Sequence, residues 1–225
     1  MGEMIEYARP DGKRAHGWLA KPAQEDGPGV VVLQEYWGLR APKSNVPEIA
    51  ERLAEAGFRA LAPDLFHGKT ANDAQSAGAL MRQLDFAEAV SQDVRGAVQH
   101  LAVGGEKVGV VGFCLGGAIA LLAAAKVPEV SAAVAFYGAP PEGAADLAQL
   151  RVPFLGHFAN RDAWVSPATV DALAKKLAAS SSCHEIHRYD AEHAFFNDKR
   201  PEVYDARAAE LAWDRTLAFL ARELH

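Results

Sequence analysis

Cysteine is scarce: the 225 residues contain only Cys114 and Cys183. Two thiols cannot staple a chain of this length, and neither a CxxC pair nor a Cys/His ligand spacing occurs. A disulfide scaffold and a zinc module are therefore excluded, and a reducing, cytoplasmic compartment is the natural reading. Basic charge is also in short supply. Lys and Arg number 23 against 29 Asp and Glu, a formal net charge of −6, which argues against nucleic acid as a partner because phosphate binding wants a basic face. Met1–Glu6 has no apolar signal region, and Glu6 stands where a myristoylation motif wants Ser or Thr. The one long apolar run, Val108–Val127, contains Gly109, Gly112, Gly116 and Gly117 and changes halfway from β-branched to Ala/Leu-rich. That change reads as a buried strand, a turn and a buried helix rather than a membrane span. Internal repeats, low-complexity tracts and Gly/Ser linkers are missing too. The expectation is one domain over residues 1–225, monomeric, with no membrane or nucleic-acid partner.

What is present is an alternation of short apolar runs with longer helical patterns. Candidate strands are Glu3–Ala8, Ala15–Ala20, Val30–Gln34, Arg59–Ala62, Val108–Gly112, Ala132–Phe136, Pro153–Phe158 and Glu185–Tyr189. Candidate helices are Lys43–Ala56, Ala71–Leu84, Ala87–Ala102, Leu115–Ala125, Pro167–Ala178 and Pro201–Leu220. The first two strands read as a hairpin. The alternation after them predicts a mostly parallel sheet with helices on both faces. Ser166-Pro167 supplies an N-cap and a proline at the first helical position, and Gly57 is a stop after the Ile49/Leu53/Ala54 stripe.

The strongest chemical signal is Gly112-Phe113-Cys114-Leu115-Gly116-Gly117, between the strand Lys107–Val111 and the helix Ala118–Leu122. A nucleophile lifted out of a sheet on a sharp strand-to-helix turn needs small residues two positions away on either side. The turn also puts the sulfur at a helix N-terminus, where the dipole favours thiolate. The bland alternative, a buried core cysteine, does not account for the three flanking glycines. A phosphate loop is discounted because the GxxxxGK[ST] pattern is absent.

A nucleophile of this kind needs a base and a group that orients the base, in the chain order nucleophile, acid, His. Asp162 follows the strand Pro153–Phe158, and His193 follows the strand containing Ile186–Tyr189, so both lie beyond the C-terminal ends of strands, where α/β sheets build their sites. The remaining histidines lie inside strands or away from that position. Asp190 and Glu192 are the fallback acids. Glu35 ends the buried run Gly29–Gln34, where it reads equally as a solvated strand cap or a site carboxylate. An oxyanion-hole amide belongs at the same place, so the amides of Tyr36 and Leu115 are the expected pair.

With these residues assembled, the chain resembles the dienelactone hydrolase (carboxymethylenebutenolidase) family over nearly its full length. The resemblance rests on Gln34–Gly38, Pro63–Phe66, Gly112–Gly117, Phe136–Gly138, Asp162 within Asn160–Pro167, and His193–Phe195. It implies an α/β-hydrolase fold and a carboxylic ester hydrolase acting on a small lactone or ester through a cysteinyl thioester, with water as co-substrate and no cofactor or metal. Cys114, Asp162 and His193 would form the triad, and Glu35 would contact the thiol in the resting enzyme. A thioesterase or other acyl hydrolase on the same triad, or a silent small-molecule-binding homologue, are the alternatives. The chain departs from the family pattern in two places. Where dienelactone enzymes carry arginines for the substrate carboxylate, it reads His67-Gly68-Lys69 and, four residues after His193, Asn197. Lys69 and Arg82, with Lys199 and Arg200 behind them, are the candidate replacements, and Trp37, Phe66, Tyr137, Trp164 and Phe195 are candidate pocket walls.

Overall fold

The computed structural model describes residues 2–24 and 26–225. Period-two burial builds its sheet. In strand β3 (Gly29–Leu33), Val30 and Val32 face one hydrophobic cluster, while Val31 and Leu33 face another, as expected when helices cover both faces. The hairpin β1 (Glu3–Ala8) and β2 (Arg14–Ala20) is antiparallel, and β2 is antiparallel to β4 (Arg59–Pro63). From β4 onward the strands run parallel, through β3, β5 (Val108–Phe113), β6 (Val130–Phe136), β7 (Phe154–Arg161) and β8 (His184–Glu192). The spatial order is β1-β2-β4-β3-β5-β6-β7-β8.

Helices α1 (Val46–Glu55) and α7 (Ala206–Leu224) pack on one face. Helices α4 (Arg95–Leu101), α5 (Leu115–Lys126) and α6 (Pro167–Leu177) pack on the other. Ile49 and Leu53 of α1 are buried; each such side chain contributes about 2 kcal/mol. Among the described residues, no helix is long and apolar enough to cross a membrane.

Several boundaries differ from the sequence reading, each for a local reason. Helix α1 starts at Val46 rather than Lys43, with Pro47 in its first turn. Helix α2 (Ala74–Gln83) starts after Asp73, whose side chain accepts from the Ser76 amide. The single helix read over Ala87–Ala102 is instead α3 (Phe86–Glu88), a π-helical turn Ala89–Val94 and then α4. In that turn, the Asp93 carbonyl accepts from Tyr7 Oη at 2.9 Å and its carboxylate from Arg9 Nη1 at 3.2 Å. The last helix starts at Ala206, not Pro201, because Asp205 caps the Ala208 amide, and it runs on to Leu224.

Two further differences place the site. Strands β7 and β8 continue past their expected ends, and Arg161 pairs with Glu192. Asp162 and His193 are thus the next residues along two adjacent parallel strands. In the same way β5 ends with Phe113 opposite Phe136 of β6, which sets Cys114 beside Tyr137.

One core residue carries a pH consequence. His157 of β7 is fully buried, with Nδ1 2.8 Å from Tyr189 Oη and Nε2 3.1 Å from Thr216 Oγ1. Burial pushes its pKa well below the ordinary value, with His187 and Arg215 adding to the effect. The unfolded chain therefore takes up a proton below about pH 6.5 that the folded chain refuses, and this group's stabilisation is lost as pH falls, by about 1.4 kcal/mol per unit. Urea unfolding between neutral and mildly acid pH is expected to show a shallower loss of stability for His157→Gln than for the wild type.

Candidate active site

The elbow is built by close backbone approaches. A Cβ at Gly112 would overlap the Gly116 carbonyl, one at Gly116 the Leu33 carbonyl, and one at Gly138 the carbonyl of Cys114 itself. These three glycines bring the N-terminus of α5 against the ends of β3 and β6. The cost falls on Cys114, which adopts φ 53° and ψ −114°, a strained conformation for a residue with a side chain. Its amide is anchored on the Phe136 carbonyl at 3.0 Å, and its own carbonyl accepts from the Gly117 amide at 3.0 Å.

Cys114 Sγ lies 3.2 Å from His193 Nε2, and His193 Nδ1 lies 2.8 Å from Asp162 Oδ2. A carboxylate only accepts, so Nδ1 carries the proton of that bond. The other oxygen, Asp162 Oδ1, accepts from the amides of Trp164 at 2.7 Å and Val165 at 2.8 Å. Both carboxylate oxygens are therefore fixed. Burial works against a charged His193, but the bonds to Asp162 and Cys114 outweigh it and raise the pKa to about 10. The arrangement favours an imidazolium held between two acceptors. The fallback acids stand apart: Asp190 is exposed and ion-paired with Arg161, and Glu192 is exposed.

Glu35 is buried at 3 % exposure. Its Oε1 accepts from Tyr137 Oη at 3.1 Å, and its Oε2 from Asn197 Nδ2 at 3.0 Å. Burial raises its pKa, opposed by the Asn197 bond, the His193 charge, the Tyr137 bond and the Arg200 charge. The resemblance implied contact between Glu35 and the thiol; here the thiol is bonded to His193 while Glu35 is held by Tyr137 and Asn197. Asn197 is itself fixed, donating to the Lys43 carbonyl at 2.9 Å and accepting from the Lys199 amide at 3.0 Å. The amides of Tyr36 and Leu115 have no acceptor among the described residues. Gly116 packs on the carbonyls of Leu33 and Gln34, which brings the start of α5 against the end of β3.

The proposed walls divide. Trp164 is 66 % exposed and stands beside both Tyr36 and His193, with ring centroids at 6.1 Å in each case. Tyr137 is buried edge-on to His193 at 5.2 Å. Trp37 is buried beneath Tyr36 at 4.5 Å, with Lys43 Nζ 4.6 Å from its ring. Phe195 is core, packed on Tyr137 and Tyr189. Phe66 and Lys69 share a separate cleft with His67 and Asp93, one that none of Cys114, Asp162 and His193 lines. Arg82 is exposed in the last turn of α2. The cation whose field reaches Glu35, Tyr36 and Tyr137 is Arg200. Sequence reasoning had Asn197 only as a missing arginine and Arg200 only as a substitute. The available signal was their spacing, four and seven residues after His193.

Comparisons with known proteins show the family and the fold. A family model described as the dienelactone hydrolase family matches residues 15–224. The protein named usf of Aquifex pyrophilus is 37% identical over 232 residues, covering 100% of both chains. A protein of Aquifex aeolicus bearing the name carboxymethylenebutenolidase is 35% identical over 227 residues, 97% of each chain. A solved Klebsiella pneumoniae structure, named for dienelactone hydrolase, superposes with a TM-score of 0.86 at 28% identity, covering 98% of this chain and 99% of that one. The chain belongs to the dienelactone hydrolase family, has the α/β-hydrolase fold, and is a carboxylic ester hydrolase.

Proposed function

We propose that the protein hydrolyses a small lactone or carboxylic ester through a thioester on Cys114. The observation that carries this reading is the continuous line Cys114 Sγ, His193 and Asp162, with contacts of 3.2 and 2.8 Å at the ends of three parallel strands. The thiolate attacks the substrate carbonyl, and the amides of Tyr36 and Leu115 receive the oxyanion. The carbon–oxygen bond of the ester then breaks, and the leaving oxygen takes the proton from His193 Nε2. Water next attacks the thioester and gives a proton to His193, and the thiolate leaves. Asp162 orients the ring and stabilises its charged form in both halves. Glu35, tied through Tyr137, sets the field beside the thiol and the imidazolium.

In this reading the three side chains act as one unit. Asp162→Asn and His193→Ala are each expected to lower kcat by about a thousandfold or more with the fold intact, and their effects are expected not to add. Steady-state kinetics on the two single variants and the double variant, with circular dichroism as the fold control, check this. A double variant far worse than either single one would contradict it.

The two arginine positions of the family pattern are taken here by Lys69 and Asn197, and Arg200, whose field reaches Glu35, is bonded to Glu202 at 3.0 Å. A panel of lactones and esters, with Cys114→Ala as the blank, tests the substrate class. The preference for dienelactone over a neutral isostere is expected to be about tenfold or less, near 1.4 kcal/mol. A preference of about a thousandfold, near 4 kcal/mol, would reveal a cation clamp.

A further inference from the structure

Next to the thiol site is a groove that the proposed reaction leaves unused. Its volume is about 590 Å³, within the range of small-molecule sites. One wall is the connection from β6 to β7, with Ala139, Pro140, Pro141 and Leu147; the other is the first turns of α6, with Ala168 and Ala172. Trp164 and Val165, which follow Asp162, also line it.

We infer that this groove binds an uncharged apolar group on the alcohol side of the substrate. That group is the alkyl or aryl alcohol of an ester, or a substituent on the ring carbon bearing the lactone oxygen. The inference rests on the proposed ester-hydrolase reading and adds the substrate class. Three observations carry it. First, the groove continues the site: Trp164 lines it and also packs against His193 and Tyr36. Both walls are extensions of site segments, one leaving Tyr137-Gly138 and the other leaving Asp162. Second, the side is set by proton transfer. The leaving oxygen must come within reach of His193 Nε2, and the residue the groove shares with the site, Trp164, has its ring centroid 6.1 Å from that imidazole. Third, the lining offers no free charge. Among the described residues the charged side chains lining it are Lys176 and Glu142, both solvent-exposed, and they pair with each other at 3.1 Å. Thr169 Oγ1 is within 3.0 Å of Ser166 Oγ. A charged group would meet only that exposed, mutually paired couple, whereas a hydrocarbon arm would leave water for the alanines, prolines and leucine of the walls and the exposed face of Trp164.

Two ester series separate the outcomes: acetates of ethyl, butyl, hexyl and octyl alcohol, and ethyl esters of acids of rising length, both followed by acid release. Each methylene buried in the groove is expected to raise kcat/KM about fourfold. Hexyl acetate should therefore exceed ethyl acetate by at least about tenfold, with no comparable rise in the acid series. Ala172→Phe fills the groove from an exposed helix position. It should abolish the alcohol-length preference and leave ethyl acetate turnover unchanged. A flat alcohol series in the wild type, an unaltered preference in Ala172→Phe, or a preference confined to the acid series would overturn the assignment. Failure of the hydrolase reading has a different signature: no ester turned over, or turnover retained by Cys114→Ala. The groove is then judged by titration with hexanol, which should change the indole emission of the wild type but not that of Trp164→Phe or Ala172→Phe. No change in the wild type would overturn it.

Discussion

Close backbone packing at the elbow is the constraint on which the rest of the site depends. Gly112, Gly116 and Gly138 each stand where a Cβ would strike a carbonyl oxygen, so α5 can be pressed against β3 and β6 at the same point. That packing holds Cys114 in a left-handed conformation and raises its side chain above the sheet. It also leaves the Leu115 amide at a helix start and the Tyr36 amide just past the end of β3. The thiol, the helix dipole and the two amides proposed to receive the oxyanion therefore follow from one packing solution. The strain at Cys114 persists because the surrounding backbone bonds over-determine it.

Electrostatics follow from burial around that point. Asp162 spends one oxygen on two loop amides and the other on His193, and a fully occupied carboxylate is a fixed charge. The ring it orients is raised to about 10 against its own desolvation. On the far side, Glu35 is buried against Tyr137 and Asn197. Asn197 is anchored by the backbone at Lys43 and Lys199, so Glu35 is held by neutral donors on a rigid frame and the thiol is left to His193.

The sequence was most legible where local chemistry and topology agree. Gly112–Gly117 between a β-branched run and an Ala/Leu-rich run specifies the elbow without tertiary information, and the strand–helix alternation specifies the sheet. Asp162 and His193 could be placed after strands but not next to each other; their neighbourhood depends on the Arg161–Glu192 register, a long-range pairing that no local pattern encodes. The π-helical turn at Ala89–Val94 was invisible for the same reason, since its bonds to Tyr7 and Arg9 join residues more than eighty positions apart. Aromatic residues were the least legible. Phe195 and Trp164 look equally like pocket walls in the sequence, yet Phe195 is core and Trp164 is two-thirds exposed, because burial of an aromatic ring is decided by packing.

Trp164 joins the two proposed parts of the site: its ring is 6.1 Å from that of His193, and it also lines the groove proposed for the alcohol side of the substrate. All of this rests on the sulfur becoming acylated. Rapid acid quench during turnover of an activated acetate ester, followed by mass spectrometry of the digested protein, tests that step most directly. The account predicts an acetyl group on the peptide containing Cys114, accumulating in the first turnover and lost in Cys114→Ala along with activity. Full turnover with no acyl group on Cys114, or an acyl group on another residue that forms and decays at the rate of turnover, would contradict it.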